Sequence, residues 1–302
     1  MSTSALKRSF WHLRFQNKFL LSRAAAFQDF FSTIMETRHP EDFQRVRPWG
    51  SQGDQKNDGY LKSTRTIFQV YAPNELKAAE ALAKIHEDFF GCLPHWEDHF
   101  DCWTFVHNAK DGLGPEVLKY LLQLNSDHTQ IDVRHWGYEE LRRVCFSISD
   151  AGLEVIFGSV PDVESMMTVG YEEIQPVIQA IARTPATSDE DLRPVSADKI
   201  QANMLSPAVQ QFLHVGMVKA NIVAAYLRKN HDPQLGDRVA ARFKSEYESI
   251  RSREADPDLI FGQLLEFASG TTLPSLGRLS AVLAVLAHLF EECVIFERPA
   301  VQ

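Results

Sequence analysis

The 302-residue sequence predicts an α/β sheet with flanking helices, followed by an all-α C-terminal domain. Three observations carry that prediction. Strand-like and helix-like segments alternate from Asp58 to Ile148, and strand patterns vanish in the last hundred or so residues. Between these regions, RTPATSDEDLRPVSADK (183–199) exchanges apolar periodicity for Pro, Ser, Thr and acids, which reads as a linker. The domains are accordingly placed at 1–185 and 186–302.

The elements follow in order. A helix is expected from about Asn17 to Thr37, because Phe19, Leu20, Phe27, Phe30, Phe31 and Ile34 recur near a period of 3.6, with Pro40 just beyond its end. PWGSQGDQKNDGYLKSTRTIFQVYAP (48–73) then reads as a glycine-rich turn, a strand near Asp58 to Leu61, a short turn at Lys62 to Arg65, and a strand through TIFQVY. Pro73 and Asn74 end it and open the helix NELKAAEALAKIHEDFF, with Leu82, Ile85 and Phe89 on its apolar face. DCWTFVHN is a buried strand, GPEVLKYLLQL a helix with Pro115 in its first turn, QIDVRHW a further strand and YEELRRVCFSI a helix. Helical crossovers between strands make the sheet partly parallel. Four helical segments are expected beyond the linker. The last, SLGRLSAVLAVLAHLFEECVIF, is apolar nearly all round, but Arg278, His288 and its two glutamates make it a core helix rather than a membrane span.

With 44% hydrophobic residues, 15 Gly and 14 Pro, the chain is an ordinary globular one. Met1 to Phe10 lacks the apolar core of a signal peptide and no run of 18 apolar residues occurs, so a cytoplasmic, non-membrane protein is expected. Cys92, Cys102, Cys145 and Cys293 have no CxxC spacing and are expected to be reduced. The formal net charge of -9 speaks against nucleic acid, but it is unevenly spread. Residues 1–70 hold 11 basic against 6 acidic residues, +5, leaving 20 against 34, -14, for the remainder. Charges are screened beyond roughly 8 Å in physiological salt, so a locally basic face can bind an anion on an acidic protein. Arg45, Arg47, Lys56, Lys62 and Arg65 are the candidate DNA contacts; the plainer reading is a solvated charged face.

GDQKNDGY, then a hairpin, then FQVY, then WTFVHNAKDGLGPEVLKYLLQL and IDVRHWGYEEL resemble, in kind and order, Mrr-like enzymes of the PD-(D/E)XK restriction-endonuclease superfamily. The resemblance implies a restriction-endonuclease-like sheet in which a glycine-rich turn delivers an aspartate and the next strand carries Glu or Gln, one residue, then Lys. Asp58 falls on the aspartate and Gln69 on the Glu/Gln position, while Tyr71 stands where lysine belongs. The Phe-Glu pair usual in the first helix is matched by Phe27-Gln28, with Asp29 adjacent. The whole chain, through its closing HLFEECVIFERP, also resembles proteins of the ABC-three-component type of bacterial anti-phage conflict systems. That resemblance implies as partners an ABC/SMC-like ATPase and a small middle component.

Hydrolysing a phosphodiester calls for Mg²⁺ or Mn²⁺ on carboxylates, an activated water and positive charge against the developing dianion. Asp58 would be the direct ligand, beside the Gln69 amide oxygen and the Val70 carbonyl, with Asp54 or Asp29 as a second carboxylate through water. Tyr71 can donate a hydrogen bond but brings no cation at neutral pH. Lys56, Lys62 or Lys77 would have to return the charge. Asp58, Gln69, Tyr71 and Lys56 are therefore the catalytic candidates. Two functions remain open: a metal-dependent DNA endonuclease effector controlled by the ATPase, for which a homo-oligomer suits double-strand cleavage, or a catalytically inactive nuclease-fold module that binds DNA or a partner. The plainest reading of GDQKNDGY is a hairpin turn whose Asp and Asn bond their own backbone.

CLPHWEDHFDC sets Cys92, His95, His99 and Cys102 at a C-x2-H-x3-H-x2-C spacing that would suit structural zinc. Surface histidines beside core cysteines are the preferred reading, because Cys102 opens a buried strand. P-loop, GxSxG and HExxH motifs are lacking, so ATPase, α/β-hydrolase and zincin chemistry are not assigned. The helical C-terminal domain has no clustered His, Cys or acid triad and is expected to supply a partner surface.

Overall fold

The computed structural model describes residues 3–47, 55–182, 203–270, 274–292 and 294–296. The chain divides into two compact units, residues 18–156 and residues 1–17 with 157–302. This division lies upstream of the boundary expected at residue 185. The linker expected at 183–199 lies outside the described residues.

The first unit is built on a five-stranded sheet: β1 (Phe43–Arg45), β2 (Gly59–Leu61), β3 (Thr66–Tyr71), β4 (Cys102–His107) and β5 (Asp132–Trp136), in spatial order 1-2-3-4-5. β1, β2 and β3 pair antiparallel, whereas β3, β4 and β5 pair parallel. The parallel pairs need crossovers, and the helices α3 (Ala78–Trp96) and α4 (Pro115–Asp127) supply them. Ile67, Trp103 and Phe105 bury one sheet face against Ala81, Ile85 and Phe89 of α3 and Val117, Leu121 and Leu124 of α4. On the other face Phe68 meets Phe31, Phe43 and Trp136 at ring separations of 5.3, 6.1 and 5.1 Å. β1 was not expected; its Phe43 closes over Gly59, where a Cβ would lie 2.4 Å from the Phe43 ring.

The single helix expected from Asn17 to Thr37 is two, α1 (Thr3–Leu21) and α2 (Ala24–Arg38). The break has a local cause. Ala24 takes φ 46°, and its N–H leaves the helical pattern to donate to Ala72 O at 2.7 Å. Two further helices, α5 (Tyr138–Cys145) and α6 (Asp150–Phe157), follow β5.

The second unit is helical: α7 (Val163–Met167), α8 (Tyr171–Ala182), α9 (Pro207–Met217), α10 (Ala220–Lys229), α11 (Leu235–Arg251), α12 (Pro257–Ser269) and α13 (Leu276–Glu291), with the first residues of α1. Boundaries follow capping chemistry. Ser206 accepts from Val209 N–H ahead of Pro207, Asp256 accepts from Asp258 and Leu259 N–H ahead of Pro257, and Gly270 ends α12 at φ 63°. α13 is the buried axis, with every residue from Leu279 to Ala287 and then Leu289 and Phe290 out of solvent. Gly216 lets α9 approach it closely: a Cβ there would stand 2.3 Å from Leu283 O. α7 and α8 pack against α13, which is why residues upstream of 185 belong to this unit. Among the described residues no helix is long and apolar enough to cross a membrane.

Candidate functional site

Asp58 stands where the turn after β1 enters β2, and its carboxylate is held from two sides. Gln28 Nε2 of α2 donates to Oδ1 at 2.6 Å, and the Val70 N–H of β3 donates to Oδ2 at 2.7 Å. The backbone of Asp58 is spent as well: its N–H donates to Phe68 O and its carbonyl accepts from Val46 N–H. The carboxylate thus extends the pairing of β2 with β3 beyond the start of β2. Asp58 and Gln69 are each only 5% exposed. Gln69 shares a face with Ile67 and Tyr71, and its Oε1 accepts no hydrogen bond among the described residues.

Tyr71 lies half-buried with its ring 6.0 Å from Phe105. Burial pushes its phenol above the usual range, with Glu80 adding to the effect and Lys84 opposing it. Tyr71 therefore stays a neutral donor at physiological pH and supplies no cation.

The basic candidates are mostly paired. Arg45 donates to Asp29 at 2.6 Å and Glu36 at 3.1 Å, and Arg65 to Asp101 at 2.9 Å. Lys56 meets Glu87 and lies 3.5 Å from Asp88 on α3. The hydrogen bond to Glu87 is the first cause holding its ammonium above the ordinary pKa. Lys77 stands 3.9 and 3.8 Å from Glu75 and Glu80. Arg47 and Lys62 are exposed. Three of the five candidate DNA contacts thus face acids of their own chain, which weakens the local positive field expected from the charge count.

The described residues do not fit a divalent cation at Asp58. Mg²⁺ and Mn²⁺ take oxygen donors including one or two carboxylates. Here one carboxylate is present, and both its oxygens already accept. Val70 contributes an N–H donor; Asp29 is exposed and paired with Arg45; Asp54 lies outside the described residues. Among the described residues no three His, Cys, Asp or Glu side chains gather to hold a metal. At the candidate zinc spacing, Cys92 is buried, donates to Phe89 O and has its thiol pushed up to about 12 by burial. His95 and His99 are exposed, and Cys102 is buried in β4 beside Thr104.

Two groups escaped the sequence reading. Asp88 is fully buried on α3, and Lys84 donates to its Oδ1 at 2.8 Å. Burial is the largest influence on its carboxyl and moves the pKa up. The i,i+4 spacing of Lys84 and Asp88 was the available signal. His107, at the carboxyl end of β4, is 1% exposed and lies 3.4 Å from His135 Nδ1. Burial, with the neighbouring His135, pulls its pKa down to about 4.

Comparison with known proteins defines the class of the helical unit. Residues 172–297 match C-terminal domain 10 of the ABC-three component (ABC-3C) systems, a little over two fifths of the chain. No curated protein and no solved structure matches the chain.

Proposed function

We propose that the chain is a component of an ABC-three-component anti-phage defence system whose α/β unit is a nuclease-like module that binds rather than cuts. The C-terminal domain match supports membership of such a system. The order of an antiparallel β1–β2–β3 meander, a crossover helix and a parallel β4 supports the nuclease-like reading, as does the meeting of Gln28 with Asp58. The single observation that carries the non-cleaving role is the engagement of Asp58 in the fold: each oxygen accepts a hydrogen bond from its own chain, and amides stand at Gln28 and Gln69 where a metal needs further charge. An adaptor subunit, docked on the ATPase through the helical unit, suits the ion-paired state of Arg45, Lys56 and Arg65 better than a DNA-gripping one.

The test is plasmid cleavage by the chain with its ATPase and middle component, with Mg²⁺, Mn²⁺ or chelator. No metal-dependent cleavage above that of an Asp58→Ala complex is expected. Metal-dependent cleavage lost in Asp58→Ala would overturn the reading and establish the second one, a metal-dependent DNA endonuclease. That alternative is favoured by one specific observation, the buried Gln69 Oε1, which has no donor among the described residues.

A further inference from the structure

The turn leading into β2 is held in an unfavourable backbone conformation by contacts separate from those of the Asp58 carboxylate. Gln55 and Lys56 are consecutive non-glycine residues at φ 53° and 61°. Crowding of Cβ against the following carbonyl disfavours that region for L-residues, so such a pair persists only where its surroundings over-determine it. The surroundings here belong to α3. The Lys56 stem runs over Gly91, where a Cβ would stand 2.9 Å from Lys56 Cγ. Its ammonium meets Glu87 and Asp88, the carboxylate that also takes Lys84. Asp88 Oδ2 accepts no hydrogen bond among the described residues. The next residue, Asn57, is fully buried, and its Oδ1 accepts from Gly59 N–H at 3.0 Å.

We propose that Lys56 is the catch of a two-position turn. Seated on Asp88 and Glu87, it holds Gln55 and its own backbone in the left-handed conformation and presents Asp58 to Gln28 and Val70. Withdrawn from α3, it lets the turn relax to extended backbone, and the Asp58 carboxylate leaves its buried place. Asp88 is a positioning residue in this device. A pair with exposed Glu87 alone would contribute little against the strain, whereas Asp88 is buried, and withdrawing Lys56 leaves its charge to Lys84 alone. Gly91 is the third part, because any side chain there displaces the Lys56 stem. The catch goes beyond the proposed function: it sets the accessibility of Asp58 whether the site binds or cuts.

Hydrogen exchange on the full chain tests it. The Val70 amide, bonded to Asp58, and the Gly59 amide, bonded to Asn57, report the closed turn. Lys56→Met is expected to speed exchange at both by on the order of tenfold, while Phe105 and Val106 in β4 keep their rates. Asp88→Asn should loosen the same two amides. Gln55→Gly, which removes strain and leaves the anchor, should leave them at or below the wild-type rate. Should Lys56→Met fail to fold, Gly91→Ala provides the same displacement in a milder form. Unchanged exchange at Val70 and Gly59, or acceleration shared equally by β4, would overturn the catch.

Discussion

The strand ends around Asp58 and the helix α13 bury their residues by opposite means. α13 removes a nearly unbroken run of Leu, Ala, Val and Phe from water, with Ser280 the one polar residue among those buried. Its stability is non-directional and grows with the apolar area buried. The strand ends around Asp58 and the facing helix α3 instead bury Asn57, Asp58, Gln69 and Asp88, polar groups whose burial is costly wherever a hydrogen bond goes unmade. The difference teaches where each part is vulnerable. α13 fails when shape changes, and the Asp58 region fails when one partner is removed.

The largest effect should follow from shape. Gly216→Val places atoms against Leu283 O and Ala287 Cβ, where even a Cβ has no room. Denaturant unfolding should register a loss of about 3 kcal/mol. A tolerated valine would mean that α9 and α13 can part without cost, and the contrast would break.

Charge sets the next effect, at His107. Its folded pKa of about 4 lies below the unfolded value of 6.5, so the unfolded chain binds the extra proton between those limits. The neutral imidazole is fully compatible with folding above pH 6.5, and stability falls as pH drops from 6.5 toward 4, by about 3 kcal/mol over that span. Thermal unfolding of His107→Leu should lose most of this slope. An identical slope in the variant would assign the acid sensitivity to another group.

Asp58→Ala should cost about 2 kcal/mol, because Gln28 and the Val70 N–H are left in a half-buried setting without their acceptor. A neutral result in chemical denaturation would mean that water replaces the carboxylate freely and that this region is not a directional structure. Arg45→Ala should change stability by less than about 1 kcal/mol, since its acidic partners are exposed and screened. Duplex-DNA binding by this variant, followed by fluorescence anisotropy, should match wild type; a clear loss would return Arg45 to a nucleic-acid surface.

Much of this was legible in the sequence for physical reasons. TIFQVY declares β3 by β-branched and aromatic residues at alternating positions, and its bounds agree with the structure. β1 was not legible: three residues carry no period, and Phe43 is fixed by Gly59, distant in sequence. The break between α1 and α2 has no Pro or Gly to mark it, since it depends on the tertiary bond from Ala24 to Ala72. That Asp58 stands at the start of β2 and that Gln69 and Tyr71 share one face of β3 could be read from residue type and spacing. Their burial could not, nor could the reach of Lys56 to Asp88, because contacts between distant segments leave no local pattern.

The central claim is that the Asp58 carboxylate serves the fold, holding Gln28 and Val70, rather than a metal. Paramagnetic broadening of backbone amide resonances by Mn²⁺ tests it most directly on the full chain, wild type beside Asp58→Ala. The account predicts no selective broadening of the Val70 and Gln69 amides in the wild type. Selective broadening at those two amides, lost in Asp58→Ala, would contradict it.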